Sequence, residues 1–157
     1  MAMPEMRHEE GLLRGADLRV TAPRIAVLAA LRRLGGHPTA DEIRQSARES
    51  VGAISPQAVY DILRTLVGAV LAGTIEPPGS PVRYELRTGD NHHHAICREC
   101  RGTFDVDCVV GDPPCMHPTG ISGFTVEKAE VTFWGLCADC ADPLCQARVR
   151  QLLLLDY

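Results

Sequence analysis

Cysteine spacing constrains this chain more than any other feature. Cys97-Arg98-Glu99-Cys100 and Cys137-Ala138-Asp139-Cys140 form two Cys-x-x-Cys pairs, with residues 101–136 between them. A tight turn aims the two sulfurs of each pair at one point, and two pairs supply the four thiolates of a closed, tetrahedral Zn²⁺ site. Such an ion ties together segments distant in sequence, and its binding free energy, about 10–16 kcal/mol in small zinc modules, acts as folding energy. A redox dithiol of the thioredoxin type would need a βαβ setting, which the sequence lacks. A closed site leaves no coordination position for substrate, so it is structural. Of the seven cysteines, Cys108, Cys115 and Cys145 stand outside this set. Cys108 and Cys115 are candidate redox thiols. Cys145 falls in an apolar C-terminal segment and reads as a buried, inert thiol.

Composition sets the frame. The 157 residues suffice for one medium domain or two small ones. With 45% hydrophobic and 23% charged residues, a packed core is expected. Aromatics make up only 4%, so that core must rest on Leu, Val, Ile and Ala. No run approaches the ~20 apolar residues of a membrane span. Met1–Arg14 carries Glu5, Glu9 and Glu10 and no apolar stretch. The protein is therefore expected to be cytoplasmic, where thiols stay reduced and metal is a better reading of cysteine pairs than disulfides. The net charge of −4 is unevenly spread. Residues 1–90 balance 11 Arg against 11 Asp and Glu, whereas residues 91–157 hold 5 basic and 9 acidic side chains, 5 − 9 = −4. The neutral half has Arg as its only cation, a side chain whose planar fork suits phosphate.

The first half reads as helical, with explicit start signals. A short helix is expected around Met6–Ala16. Thr21 is placed as an N-cap before Pro23 and the apolar face Ile25, Leu28, Leu31 and Leu34, which Gly35-Gly36 closes. Thr39-Ala-Asp-Glu42 is a capping box. Ser55-Pro56 is an N-cap followed by an N1 proline, with Val59, Ile62, Leu63 and Leu66 at helical spacing. The period then changes. Residues 70–76 and 82–86 predict two strands around the turn cluster Pro77-Pro78-Gly79-Ser80. Helices followed by a two-stranded hairpin are the winged-helix order. Beyond it, short strands are expected at Ala95–Cys97, Thr103–Val106 and Phe124–Trp134, with a last helix over Pro143–Leu155. The fold class is thus α+β: a winged-helix domain over residues 1–86 and a small α/β domain with the Cys₄ site over 87–157.

Asn91-His92-His93-His94 directly precedes the first cysteine pair. In an extended segment alternate side chains share a face, so His92 and His94 point one way and His93 the other. Two imidazoles on one face, with Glu85, Asp105 and His37 as further candidates, make a harder donor set than four thiolates. It suits an exchangeable Fe²⁺, Mn²⁺, Zn²⁺ or Ni²⁺.

Taken together, these strings resemble the ferric uptake regulator (Fur) family. The matching pieces are Leu18-Arg-Val-Thr-Ala-Pro-Arg-Ile-Ala-Val-Leu28, His37-Pro-Thr-Ala-Asp-Glu-Ile43, Ser55-Pro-Gln-Ala-Val-Tyr60, the His92-x-His94-x-x-Cys97-x-x-Cys100 block and Trp134-Gly-Leu-Cys137-x-x-Cys140. The resemblance implies a transcriptional repressor rather than an enzyme: a homodimer that binds an inverted-repeat DNA operator, with no small organic substrate. It implies structural Zn²⁺ on Cys97, Cys100, Cys137 and Cys140. It further implies a regulatory ion, Fe²⁺ or Mn²⁺, on His37, Glu85, His92, His94 and Asp105. Ser55, Gln57, Tyr60 and Arg64 match the DNA-reading helix, and Arg19 and Arg24 are phosphate candidates. The family's usual Thr-Val-Tyr-Arg run reads Ala58-Val59-Tyr60-Asp61 here, so an aspartate replaces an arginine. Asp61, the Gly89-Asp-Asn-His-His-His94 run and Asp105-Val-Asp-Cys108 look like the redox-responsive branch that controls catalase genes. In that branch Fe²⁺ on the histidines would react with peroxide, and oxidation of a ligand or thiol would release the metal. Glu85 points instead toward an iron or zinc uptake repressor. A zinc hydrolase or deaminase is a reading of another class. The deaminase signature Pro-Cys-x-x-Cys fails at Pro114-Cys115, which lacks the second cysteine. A zinc-stapled protein-interaction module that does not bind DNA is a third reading.

Overall fold

The computed structural model describes residues 3–86, 92–107, 120, 122–125 and 131–142. The chain forms two compact units, Met1–Gly89 and Asp90–Tyr157. Its secondary structure is α+β, with helices first and a small sheet after them.

The first unit contains α1 (Met3–Gly15), α2 (Ala22–Leu34), α3 (Ala40–Val51), α4 (Pro56–Gly68), β1 (Ala72–Ile75) and β2 (Arg83–Leu86). Three of the four helices begin at the caps legible in the sequence. The Thr21 hydroxyl accepts from the Arg24 amide, and Pro23 occupies the first turn of α2. Thr39 and Glu42 exchange both bonds of a capping box. The Glu42 carboxylate accepts from the Thr39 amide at 2.7 Å, and this bond holds the Glu42 carboxyl below its ordinary range. Ser55 caps α4 by accepting from the Ala58 amide at 3.1 Å.

Leu13, Leu28, Leu31, Ile43, Leu63 and Leu66 bury their side chains fully where the four helices meet. Each such aliphatic side chain stabilises the fold by roughly 1.5–3 kcal/mol relative to exposure. α1 is pinned by a feature that periodicity hides. Glu9 is buried against α2 and pairs with Arg32 at 2.9 Å. α4 closes in a Schellman turn: the Leu71 amide donates to the Leu66 carbonyl and the Val70 amide to the Val67 carbonyl. Val70 takes the left-handed conformation there, φ 58°, a position glycine usually fills. The turn hands the chain to an antiparallel hairpin in which Gly73 faces Glu85 and Ile75 faces Arg83. Three helices and this hairpin make the winged-helix arrangement.

The second unit holds β3 (His92–Cys97), β4 (Thr103–Asp107), β5 (Thr132–Gly135) and the short α5 (Ala138–Ala141). The sheet order is β4-β3-β5, with β3 antiparallel to β4 and parallel to β5. β3 starts three residues earlier than the sequence suggests, so all three histidines lie on the strand. Of the strand expected over Phe124–Trp134, the described part begins only at Thr132. Phe124 and Thr125 lie outside β5, which pairs with the His94–Cys97 stretch of β3. The helix expected over Pro143–Leu155 lies outside the described residues. No helix among the described residues is long and apolar enough to cross a membrane.

Candidate metal centres and nucleic-acid interface

Cys97 ends β3 and is buried, Cys100 sits in the turn after it, Cys137 is the N-cap of α5, and Cys140 lies within α5. Strand and helix thus converge on one point. The four sulfurs lie within 4.8 Å of one another. The Cys100 and Cys137 sulfurs are 3.8 Å apart, about the edge of a tetrahedron with ~2.3 Å Zn–S bonds.

Backbone amides prepare the thiolates. Gly102 donates to Cys100 Sγ and Cys137 to Cys97 Sγ, each at 3.4 Å. Arg101 takes φ 61° to bring the Gly102 amide round, a left-handed strain of roughly 1 kcal/mol. The Cys137 amide is the main reason the Cys97 thiol is pulled down to about 6. Hydrogen bonding with Cys137, then burial, pushes the Cys140 thiol up instead. One thiolate therefore forms readily, and further ionisation beside it is opposed until a cation arrives. A soft, tetrahedral S₄ donor set fits Zn²⁺.

The histidine and carboxylate candidates form a group within each unit. In the first unit His37 Nε2 lies 3.3 Å from Glu85 Oε2, with both side chains largely buried. The loop carrying His37 is held by the wing. Arg83 Nη1 donates to the His37 carbonyl at 2.9 Å, and the Tyr84 amide donates to the Pro38 carbonyl at 2.9 Å. Gly73 makes room for Glu85: a Cβ there would stand 2.7 Å from Glu85 Oε1. Arg83 and Gly73 escaped the sequence reading, since their part depends on hairpin register. A glycine inside a short strand, where a side chain would pack, is the signal that could have exposed Gly73.

In the second unit the pleat separates the histidines as expected. His92 and His94 each place Nε2 3.8 Å from Asp105 Oδ1, and their rings meet edge to face at 5.0 Å. His94 stands opposite Asp105 in the β3–β4 register. His93 points away and is buried, its ring 6.4 Å from that of Phe133. Two imidazoles beside one carboxylate form a mixed nitrogen and oxygen donor set, harder than four thiolates.

Gln57, Tyr60, Asp61 and Arg64 occupy one exposed face of α4. Tyr60 is 45% exposed despite its size. Gln57 Nε2 donates to Asp61 Oδ1 at 3.0 Å, and Arg64 lies 3.7 Å from the same oxygen. The Ser55 hydroxyl is engaged in its cap. Arg24 donates to the Arg19 carbonyl at 2.8 Å, which sets its guanidinium beside exposed Arg19 ahead of α2. Cys108, Cys115 and Cys145 lie outside the described residues.

Residues 15–111 match the model of the Ferric uptake regulator family. The chain belongs to that family. It is 50% identical over 131 residues to the transcriptional regulator FurA of Mycobacterium tuberculosis, covering 82% of this chain and 87% of FurA. It is 31% identical over 130 residues to the peroxide-responsive repressor PerR of Staphylococcus saprophyticus, covering 83% and 87% of the two chains. The fold matches that of the Helicobacter pylori ferric uptake regulator Fur with a TM-score of 0.66 at 21% identity, over 88% of this chain and 93% of the other. As a Fur-family protein the chain is a metal-responsive transcriptional regulator and not an enzyme.

Proposed function

We propose that the chain is a homodimeric repressor whose binding to an inverted-repeat operator requires a regulatory ion and is lifted by peroxide, with catalase genes among its targets. The observation that carries this reading is the coexistence of two unlike donor sets. Cys97, Cys100, Cys137 and Cys140 hold Zn²⁺ as a permanent staple. His37 and Glu85 from the winged-helix unit, with His92, His94 and Asp105 from the sheet unit, close on one Fe²⁺ or Mn²⁺. An ion with ligands in both units fixes the angle at which α4 is presented, so metal affinity and DNA affinity become reciprocally linked. Bound Fe²⁺ supplies the reactivity toward peroxide. The protein's side chains hold the ion and transmit its loss.

Dimerisation finds support in the sheet. Phe104, Phe133 and Trp134 are 48%, 49% and 38% exposed, and β5 is exposed along its whole length. A second copy would cover these apolar groups. The protein acts in the cytoplasm, on DNA.

Glu85 favours a second reading, an iron or zinc uptake repressor whose signal is metal level alone. One experiment separates the two. Operator binding is titrated with Fe²⁺ and with Mn²⁺, with and without peroxide. Peroxide should abolish binding by the Fe²⁺ form and spare the Mn²⁺ form. Equal resistance of both forms would select the metal-level reading. Operator binding that is indifferent to every metal would refute both.

A further inference from the structure

We infer that Asp61 is a positioning residue for base reading, acting through Gln57. This rests on the reading of α4 as the helix that faces DNA. Gln57, Tyr60, Asp61 and Arg64 fall at the three- and four-residue spacing of one helix face and are all exposed. Asp61 is the hub of that face. Its Oδ1 accepts from Gln57 Nε2 at 3.0 Å, one turn earlier, and lies 3.7 Å from Arg64 Nη1, one turn later.

A glutamine amide carries one acceptor oxygen and two N–H donors. One N–H is committed to Asp61. The oxygen and the other N–H remain, side by side, and form the acceptor–donor pair that matches N6 and N7 of adenine. An untethered amide turns over by half a rotation. Its oxygen then meets N7 and its nitrogen meets the N6 amino group, both mismatched, while the N–H suits the carbonyl oxygens of guanine or thymine. Asp61 as a carboxylate only accepts, so it holds the nitrogen and rejects the oxygen. The tether therefore fixes which base edge Gln57 can read. The same carboxylate lies beside Arg64 and offsets its charge, which weakens sequence-independent attraction to phosphate. Asp61 thus trades general affinity for a fixed reading group.

The test uses the full-length, zinc-loaded protein with Mn²⁺. Binding duplexes are selected from a randomised pool, and affinities are measured on the selected duplex and its single-base-pair variants. Asp61→Ala should lose discrimination at one base pair by about tenfold, the size of a good bidentate contact. Gln57→Ala should lose it at the same base pair. Asp61→Asn should lose most of it as well, because its amide can turn to donate to the Gln57 oxygen and no longer selects one orientation. Both Asp61 variants should show a steeper salt dependence, by up to about one phosphate contact, as Arg64 is released. If Gln57→Ala erases the preference and Asp61→Ala preserves it, the inference falls and the reading of α4 stands. If Asp61→Ala weakens all duplexes evenly, its role is packing and the inference falls. If the wild type selects no sequence, or Gln57→Ala changes no preference, both the inference and the reading fall.

Discussion

The four-cysteine cluster and the histidine–carboxylate groups are both sets of candidate metal ligands, yet they are built in opposite ways. The cysteines come from one unit, converge within 4.8 Å and are pre-arranged by backbone amides, including one supplied at the cost of a left-handed Arg101. The histidines and carboxylates come as a pair in the first unit, His37 from a loop and Glu85 from the wing, and a trio on the sheet. Their geometry is set by side-chain contacts and by register. A site whose ligands are all anchored within one folded unit is suited to bind once and stay bound. In the proposed function the second set is divided between two units, and so would respond to anything that changes how those units meet. Permanence and responsiveness thus follow from where the ligands are anchored, in addition to their softness.

The largest expected effect breaks the permanent site. Cys97→Ser removes the buried thiol that forms its thiolate most readily, and should lose zinc, the folded sheet unit and the dimer together. Metal content per chain and sedimentation measure this; a zinc-free, folded dimer would sink the structural role. Next, His94→Ala should leave zinc and dimer intact while lowering Mn²⁺-stimulated operator binding by at least ~10-fold, the scale on which metal-site partners act. Unchanged stimulation would remove His94 from the regulatory site.

Gly73→Ala sharpens the comparison further. Its new methyl collides with the far end of a flexible side chain, so Glu85 should swing aside with little change in stability. Mn²⁺ affinity should drop by about tenfold. A variant that melts early with Mn²⁺ affinity intact would show that Gly73 serves the hairpin alone.

The smallest effect concerns the loop that carries His37. Glu42→Ala removes half of the capping box just after it and should cost about 1 kcal/mol at neutral pH. The Glu42 carboxyl is lowered in the folded state, so its contribution is present above the ordinary value of 4.5. It is lost as pH falls through the lowered folded value. Thermal melts of wild type and variant should therefore converge in acid; a gap that persists there would assign the loss to packing.

What the sequence made legible is what is encoded locally. The caps at Thr21, Thr39 and Ser55, the cysteine pairs and the alternation of His92, His93 and His94 all depend on neighbours within a turn or a pleat. What it concealed depends on partners far along the chain. Glu9 looks like a solvated helix residue, and only Arg32 makes it a buried anchor. Gly73 gains meaning only when the hairpin sets it opposite Glu85, and Arg83 only when it reaches the His37 carbonyl. Asp61 stands out in the sequence as a departure from the family, but its hold on Gln57 needs a side chain's position.

β3 carries a consequence for how this molecule can vary. His92 and His94 open the strand and Cys97 closes it, so one six-residue ruler spaces both candidate metal sites, about 10 Å apart at ~3.3 Å per residue. Inserting or deleting a single residue between His94 and Cys97 would invert the pleat on one side of the change. Either the imidazoles would turn into the position His93 occupies, or the thiol would leave the cluster. Substitutions can accumulate within this stretch one at a time, but a change of length would put both sites out of phase at once.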